Sequence, residues 1–310
     1  MTYEDFAQEW DSRDMITCRT SGSTGAPKEI LLPKHEMVNS ALRTIDFFGL
    51  TGDSLLYSCI APDFIGGKMM LVRQRAAGCR FLWETPSNRP LDGYSGEPIS
   101  LLSVVPSQVI HILDNIKDMP VIDAMLVGGS SIPESLRHRI EKSGLNAYES
   151  YGMTETASHI ALRRIKSEPE PFRTLGDITV TISDEALVID IPGWQSVRTN
   201  DSARIVSPRE FFIDGRLDNI MISGGRKINP ERVEDILSRT ITFPFIITSR
   251  PDEKWGERII MIAEAEESER PFIENECRNM LENYMRPKEI IFTKHLPRTP
   301  NGKPVRNFKN

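Results

Sequence analysis

A segment near the amino terminus combines glycines, hydroxyl side chains and a lysine in the way that phosphate binding requires. It consists of Thr20, Ser21, Gly22, Ser23, Thr24, Gly25, Ala26, Pro27 and Lys28. The glycines let the backbone approach an anion closely, and the hydroxyls are donors for phosphate oxygens. The Walker pattern needs a lysine directly after its last glycine, so this segment predicts a phosphate-binding loop of another kind. A Gly/Ser-rich surface turn is the alternative interpretation.

A second segment has the residue types to hold a divalent cation. Tyr151, Gly152, Met153, Thr154, Glu155 and Thr156 place one carboxylate between two hydroxyls, downstream of the small-residue turn Gly128, Gly129 and Ser130. A carboxylate oxygen suits Mg²⁺, which keeps several waters and shares its other positions with nucleotide phosphates. The segment therefore predicts magnesium binding by Glu155, with a capping turn as the alternative.

Two further positions, Asp201 and Lys303, indicate a function only when they are considered together with these segments. The carboxylate of Asp201 can accept hydrogen bonds from both hydroxyls of a ribose, although an isolated aspartate here indicates a turn. Lys303 follows the tight turn Pro300, Asn301 and Gly302 near the carboxyl terminus. Taken alone, Lys303 would be interpreted as a solvated lysine of the tail.

The elements that must position these residues alternate along the chain. Helices are predicted for 36–48 and 107–115, and strands for 54–60, 99–105 and 124–127. Such alternation is typical of a layered α/β sheet. Strands predicted for 177–182 and 186–191 indicate a small β-rich subdomain. Beyond Arg216, a separate α+β domain is predicted from helices and strands over 230–239, 245–248, 258–265 and 272–284.

The composition limits the class of protein. The 310 residues are 39% hydrophobic and 26% charged, with a formal charge of −6, which is typical of a globular chain of about two domains. The acidic balance argues against a nucleic-acid partner. No apolar run approaches membrane-spanning length, and residues 1–14 do not have the pattern of a secretory signal. Four scattered cysteines predict reduced thiols and a cytoplasmic location.

In this order and at these separations, the four segments resemble the adenylate-forming superfamily of acyl-CoA synthetases, peptide-synthetase adenylation domains and luciferases. The resemblance covers the chain from Thr20 onward. It implies an α/β adenylate-forming fold, with a shortened large domain over 1–217 and a mobile α+β domain over 218–310. It also implies ATP, Mg²⁺ and CoA as cofactors and a small carboxylic acid as substrate.

The resemblance further implies a role for each matching residue. Thr20 to Gly25 and Lys28 would hold the ATP phosphates. Gly129 and Ser130 would lie beside adenine, Tyr151 would stack on it next to Gly152, and Thr154 and Glu155 would contact phosphate and magnesium. Asp201 and Arg216 would hold the ribose, and Asp218 would be the hinge between the domains. Gly224 and Gly225 would line the CoA tunnel, and Lys303 would stabilise the transition state of adenylation.

Three segments look like those of o-succinylbenzoate:CoA ligases of menaquinone biosynthesis. They are Asp63 to Met70, Val104 to Gln108 and Ile222 to Pro230. An acid with two carboxylates needs a cationic or hydrogen-bonding anchor for the carboxylate that is not activated. Lys68 and Arg73 are candidates for this anchor, and solvated positions on a helix that begins near Gly67 are the alternative. His159 is interpreted as a hydrogen-bonded structural histidine without chemistry, with a position facing the acyl pocket as the alternative.

The sequence departs from the family pattern in two places. Thr199, Asn200 and Asp201 stand where Thr-Gly-Asp is usual, and the chain begins about twenty residues before the phosphate loop, where family members have a longer portion. The second departure means either that a reduced domain folds alone or that a second copy covers the exposed surface, so a homodimer is a hypothesis. Two other functions stay open at this point, namely loading of a carrier protein instead of CoA, and nucleotide binding without catalysis.

Overall fold

The computed structural model describes residues 1–19, 28–296 and 306. Its first sheet is an antiparallel hairpin of β1 (Met15–Arg19) and β2 (Glu29–Pro33). Arg19 pairs with Glu29 in the register, and the guanidinium Nη2 lies 3.2 Å from the Glu29 carboxylate. The hairpin thereby joins the two segments that flank the predicted phosphate loop.

The main sheet begins with five parallel strands that alternate with helices, as the sequence predicts. Their order in the sheet is β4-β3-β5-β6-β7. Strands β3, β5 and β6 are buried along their whole length, because helices cover both faces of a parallel sheet. The elements are α2 (Lys34–Phe48), β3 (Leu55–Ser58), α3 (Ile65–Ala77), β4 (Arg80–Trp83), β5 (Leu101–Val104), α4 (Pro106–Asp114), β6 (Met125–Val127), α5 (Glu134–Ser143) and β7 (Ala147–Met153).

Antiparallel strands extend the same sheet on the other side of β7, in the order β8-β9-β13-β12-β11-β10. They are β8 (Ser158–Arg164), β9 (Phe172–Thr174), β10 (Thr179–Ser183), β11 (Ala186–Asp190), β12 (Ser196–Ser207) and β13 (Glu210–Arg216). The predicted small β subdomain is thus continuous with the main sheet. The reason is that β9 pairs with both β8 and β13, and Phe172 stacks on Phe211 with ring centroids 5.7 Å apart.

Helix α1 (Tyr3–Ser12) covers one face of α3. It begins with a capping box, in which the Asp5 amide donates to the Thr2 hydroxyl and the Thr2 amide donates to the Asp5 carboxylate. Its apolar side buries Phe6 and Trp10 in a core shared with α2 and α3. The Tyr3 hydroxyl lies 2.7 Å from the Ile60 carbonyl oxygen, so α1 is also held by a partly buried hydrogen bond.

The residues from Met221 to Phe292 form a third sheet, in the order β15-β14-β17-β16, with β18 parallel to β17. Its elements are β14 (Met221–Ser223), β15 (Arg226–Ile228), α6 (Pro230–Leu237), β16 (Phe245–Asp252), β17 (Gly256–Ala263), α7 (Arg270–Met280) and β18 (Glu289–Phe292). The helices and strands predicted beyond Arg216 are therefore present, and the boundary at Asp218 stays a prediction. Within the described residues, no helix is long and apolar enough to span a bilayer. The four cysteines are buried and unpaired, as predicted.

Candidate active site

Two of the predicted nucleotide-contacting segments meet at the carboxyl ends of β6 and β7. These strands are parallel, with Val127 opposite Glu149, so the residues that follow each strand lie side by side. The Ser150 hydroxyl donates to the Val127 carbonyl oxygen at 3.2 Å. Gly129 has a φ of +92°, a conformation that favours glycine, and it is exposed together with Ser130. In open α/β sheets, this edge is where ligands bind.

The segment with Glu155 forms a short 3₁₀ turn, Thr154–Thr156, between β7 and β8. The Met153 amide donates to the Thr156 hydroxyl at 3.0 Å. Strand β2 contacts this turn, so the carboxyl-terminal stem of the predicted phosphate loop lies beside it. Lys28 is exposed and immediately precedes β2. The other loop residues, Thr20 to Gly25, lie outside the described residues.

Two strained backbone conformations follow the turn. Ala157 has a φ of +50° and Ser158 a φ of +84°, both unusual for residues with a Cβ. The hydroxyl of Ser40, on α2, donates to the Ala157 carbonyl oxygen at 2.8 Å and is itself buried. Strain of this kind persists only where surrounding contacts enforce it, and it clusters at functional sites. The strain therefore supports a functional role for the adjacent Glu155.

The geometry of Glu155 fits a magnesium ion that is shared with a nucleotide. Its side chain is half-buried, and within the described chain its carboxylate makes no ion pair or hydrogen bond. The described residues contain no cluster of three or more histidine, cysteine or acidic ligands. A single available carboxylate is what Mg²⁺ requires when phosphates and water supply the remaining ligands.

The proposed ribose ligands are already linked to one another. Asp201 and Arg216 face each other across β12 and β13, and the guanidinium Nη1 lies 3.4 Å from Asp201 Oδ1. The Tyr151 hydroxyl donates to Asp201 Oδ2 at 2.6 Å, and burial beside this carboxylate raises the tyrosine's pKa. Arg216 Nη2 also lies 3.4 Å from the Asp218 carboxylate. One arginine therefore connects the predicted ribose ligand with the predicted hinge.

Gly152 is required by the close approach of β7 and β8. A Cβ at this position would lie 2.2 Å from the Ser158 carbonyl oxygen and 2.4 Å from the His159 Cα. Both atoms belong to the backbone, so Gly152→Ala should destabilise the fold by roughly 1–3 kcal/mol or more, measured by chemical denaturation. Gly52→Ala is the control, because its Cβ would meet only an ordinary contact at 3.8 Å. Equal stability of the two variants would contradict this geometry.

The catalytic lysine predicted from the sequence, Lys303, lies outside the described residues. Arg306 is described, and its guanidinium Nη2 lies 2.7 Å from Glu234 Oε2 on α6. The Thr248 hydroxyl donates to the Arg306 carbonyl oxygen at 3.1 Å. Residue 306 is therefore fixed to the third sheet, three positions after Lys303 in the sequence.

The two candidate anchors for a second carboxylate are both buried on α3. Lys68 is 2% exposed and Arg73 is 1% exposed, so the alternative of solvated positions is wrong. The Lys68 ammonium has an anionic neighbour, since it lies 3.6 Å from Glu9 Oε2 and 4.1 Å from the centroid of the Phe6 ring. Burial lowers the pKa of Lys68, and Glu9 opposes this shift.

Arg73, unlike Lys68, has no anionic neighbour among the described residues. Its Nη2 lies 3.3 Å from His159 Nδ1 and its Nη1 lies 3.6 Å from the Met70 sulfur, while its Nε has no hydrogen-bond partner in the described part of the chain. Burial lowers the pKa of the guanidinium to about 9. The nearby Tyr3 hydroxyl is not an anion, because burial raises its pKa. Among the residues that the structure describes, Arg73 is therefore a buried cation without a carboxylate partner.

The glycines predicted to line a CoA tunnel form the turn between β14 and β15. Gly224 and Gly225 have φ values of +58° and +74°. A Cβ on Gly224 would lie 3.2 Å from the ring of Trp255, a residue that the sequence analysis did not identify. The ammonium groups of Lys254 and Lys288 lie 5.0 and 5.7 Å from the centroid of the same ring. Trp255, which lies between β16 and β17, thus packs against the Gly224 turn and has two cations close to its ring.

Comparison with known proteins agrees with this geometry. Residues 6–207 match the model of the AMP-binding enzyme family, and residues 246–303 match the AMP-binding enzyme C-terminal domain. The 2-succinylbenzoate–CoA ligase of Enterococcus faecalis is 26% identical over 98% of this chain and 70% of its own length.

Two solved structures extend the comparison. An acyl-CoA synthetase (AMP-forming)/AMP-acid ligase II-like protein from Dyadobacter fermentans matches 97% of this chain and 90% of its own, at 29% identity and a TM-score of 0.63. The o-succinylbenzoate CoA synthetase of Bacillus subtilis, in complex with ATP and magnesium, matches 94% of this chain and 68% of its own. Its identity is 19% and its TM-score 0.80, which confirms the predicted adenylate-forming fold. On this basis, the chain belongs to the AMP-binding enzyme family.

Proposed function

We propose that this protein is an ATP-dependent acid:CoA ligase whose substrate is 2-succinylbenzoate. The reaction has two steps, formation of an acyl adenylate and transfer of the acyl group to the thiol of CoA. The observation that carries the choice of substrate is Arg73, a buried cation with no carboxylate partner in the described chain. The names of the relatives support the same choice.

The cost of burying a charge favours a dicarboxylic acid as the substrate. An isolated charge in a protein interior is strongly unfavourable unless it is paired and hydrogen-bonded. Lys68 meets this requirement through Glu9, whereas Arg73 does not. A planar guanidinium with free N–H groups matches a carboxylate in shape and charge. We therefore assign the carboxylate that is not activated to Arg73 and assign Lys68 a structural role.

The chemistry of the first step requires concentrated positive charge. A carboxylate oxygen of the acid attacks the α-phosphorus of ATP, and the bond from this phosphorus to pyrophosphate breaks. Both reactants are anions, so Lys303 and the residues of the phosphate loop reduce their repulsion. Magnesium on Glu155 would neutralise charge on the phosphates when bound. Asp201 and Arg216 hold the ribose, which fixes the α-phosphate relative to the acid.

The second step uses the hairpin with Gly224 and Gly225. The thiol sulfur of CoA attacks the acyl carbonyl carbon, AMP leaves, and the thiol proton goes to solvent or to AMP. Lys254 and Lys288 beside Trp255 provide cations and an aromatic face, which suit the phosphates and the adenine of CoA. Rotation about Asp218 would exchange Lys303 for this hairpin at the acyl adenylate.

The test is a product assay with the full chain, ATP, Mg²⁺, CoA and 2-succinylbenzoate. We expect AMP, pyrophosphate and the CoA thioester in equal amounts, detected by liquid chromatography. Pyrophosphate exchange without consumption of CoA would favour the alternative of carrier-protein loading. The absence of AMP with every aryl or acyl acid of a panel would contradict an enzymatic role and favour a nucleotide-binding protein. Activity with a different acid alone would keep the ligase and overturn the substrate.

A further inference from the structure

A chain of buried hydrogen bonds leads away from Arg73. His159, at the start of β8, places Nδ1 3.3 Å from the Arg73 guanidinium and Nε2 3.0 Å from the Thr44 hydroxyl. Thr44 lies on α2, and its hydroxyl is 3.3 Å from the Ser40 carbonyl oxygen. All four residues are buried, so each hydrogen bond is shielded from competition with water.

The direction of every bond in this chain follows from the chemistry of its ends. A guanidinium has donors only, so His159 Nδ1 must accept from Arg73. A neutral imidazole with a bare Nδ1 carries its proton on Nε2, which donates to the Thr44 oxygen. The Thr44 hydroxyl proton then points at the Ser40 carbonyl oxygen. Only the Nε2–H tautomer satisfies all three contacts.

The charge state of the ring follows from the same geometry. A protonated His159 would place an N–H against the Arg73 guanidinium and would bury a second cation beside the first. Burial, and then the positive charge of Arg73, lower the pKa of His159 well below its ordinary value. The ring therefore acts as a neutral acceptor that fixes one face of the guanidinium.

We infer that His159 is a positioning residue: it holds the Arg73 guanidinium in the orientation in which Arg73 donates to the second carboxylate of the acid. Through this orientation, His159 determines the specificity for a dicarboxylic acid. This inference rests on the proposed function. His159 uses one terminal N–H of the guanidinium, while Nε has no partner in the described chain. Since the acid can be bound only by N–H groups that remain available, the orientation fixed by His159 decides which face of Arg73 the carboxylate meets. The same helix, α2, supplies the Ser40 contact to the turn beside Glu155.

The kinetic test uses pyrophosphate exchange by the full chain. His159→Leu should raise the KM for 2-succinylbenzoate at least about tenfold, as expected for the loss of a hydrogen bond to a charged group, with little change in the KM for ATP. His159→Gln should restore most of the affinity, because its amide can accept from Arg73 and donate to Thr44. Thr44→Val should have a smaller effect of the same kind. His111→Gln is the matched control, since in the described chain the His111 side chain bonds only to Asn115, the residue that follows α4.

A spectroscopic measurement keeps the inference testable if His159→Leu does not fold. Nitrogen-15 NMR of the wild-type histidine rings, assigned by comparison with His159→Gln, should show a neutral ring with the proton on Nε2. A proton on Nδ1 would overturn the inference. An unchanged KM for the acid in folded His159→Leu would also overturn it and leave the proposed function standing. A wild-type enzyme that does not activate 2-succinylbenzoate would overturn both.

Discussion

Replacing Lys303 by alanine is expected to slow formation of the acyl adenylate by roughly 100- to 1,000-fold, the usual loss for one group that stabilises transition-state charge. Thioester formation from a supplied acyl adenylate should continue at a rate close to that of the wild type. The reason is that, in the proposed mechanism, Lys303 acts on developing phosphate charge only in the first step. Pyrophosphate exchange measures the first half-reaction, and CoA consumption with added adenylate measures the second.

The matched control is Lys294→Ala, which removes an exposed cation from the same third of the chain. It should leave both half-reactions unchanged. Equal losses of both half-reactions in Lys303→Ala would refute the division of labour between the two steps. The anchoring of Arg306 by Glu234 and by the Thr248 hydroxyl supports the prediction, because it fixes the chain close in sequence to Lys303.

Replacing Arg73 by methionine is expected to stabilise the free protein and to weaken the binding of the dicarboxylic acid. Removing a buried cation that has no carboxylate partner in the described chain should raise the free energy of unfolding by roughly 1–4 kcal/mol, similar to replacements of buried ionic groups by apolar ones. The KM for 2-succinylbenzoate should rise by about 100-fold, the value of a charge-assisted hydrogen-bonded pair. Denaturation and pyrophosphate exchange measure the two effects.

The same helix offers a matched control for this variant. Arg75 lies two residues further on, is 43% exposed in its side chain and pairs with Asp11 at the surface. Because surface ion pairs contribute little, Arg75→Met should change neither the stability nor the KM appreciably. A less stable Arg73→Met variant with an unchanged KM would contradict the assignment of an uncompensated cation.

The stability difference between the wild type and Arg73→Met should depend on pH. The pKa of Arg73 is lowered to about 9 in the folded protein, below its value in the unfolded chain. Above pH 9 the unfolded chain therefore binds more protons, so the wild type gains stability as the pH rises. The full cost of the buried charge is present below pH 9. The difference between the two proteins should therefore narrow as the pH rises above about 9, as long as both remain folded.

The fold could be predicted from the sequence because its signals are local. Helices such as α2 and α4 and buried strands such as β3 and β6 have characteristic patterns within a few residues. Local patterns did not predict that the small β subdomain is continuous with the main sheet. It depends on β9 bridging β8 and β13, and the pairing of Phe172 with Phe211 joins residues far apart in the chain.

In the candidate site, too, local features could be predicted from the sequence and long-range contacts could not. Continuous segments identified Glu155, Tyr151 and the glycine turns, and the strands bring Gly129 beside the Ser150 to Gly152 segment. The state of Arg73 could not be deduced, because its partner His159 is 86 positions away and the pair is seen only after α3 packs on β8. Glu9 distinguishes Lys68 from Arg73, and nothing near either residue in the sequence indicates this contact.

The central claim is that a buried cation recruits the second carboxylate of an acid that ATP activates. The most direct measurement is the rate of ATP–pyrophosphate exchange supported by 2-succinylbenzoate, compared with 4-oxo-4-phenylbutanoate and 2-propanoylbenzoate, each of which lacks one of its carboxylates. We predict that the ratio of kcat/KM favours the dicarboxylate by about 100-fold or more. In Arg73→Met, the preference over the monocarboxylate that keeps the activated carboxylate should disappear, whereas the other analogue should stay inactive because it lacks the carboxylate that ATP activates. Equal activity with a monocarboxylate in the wild type would contradict the account.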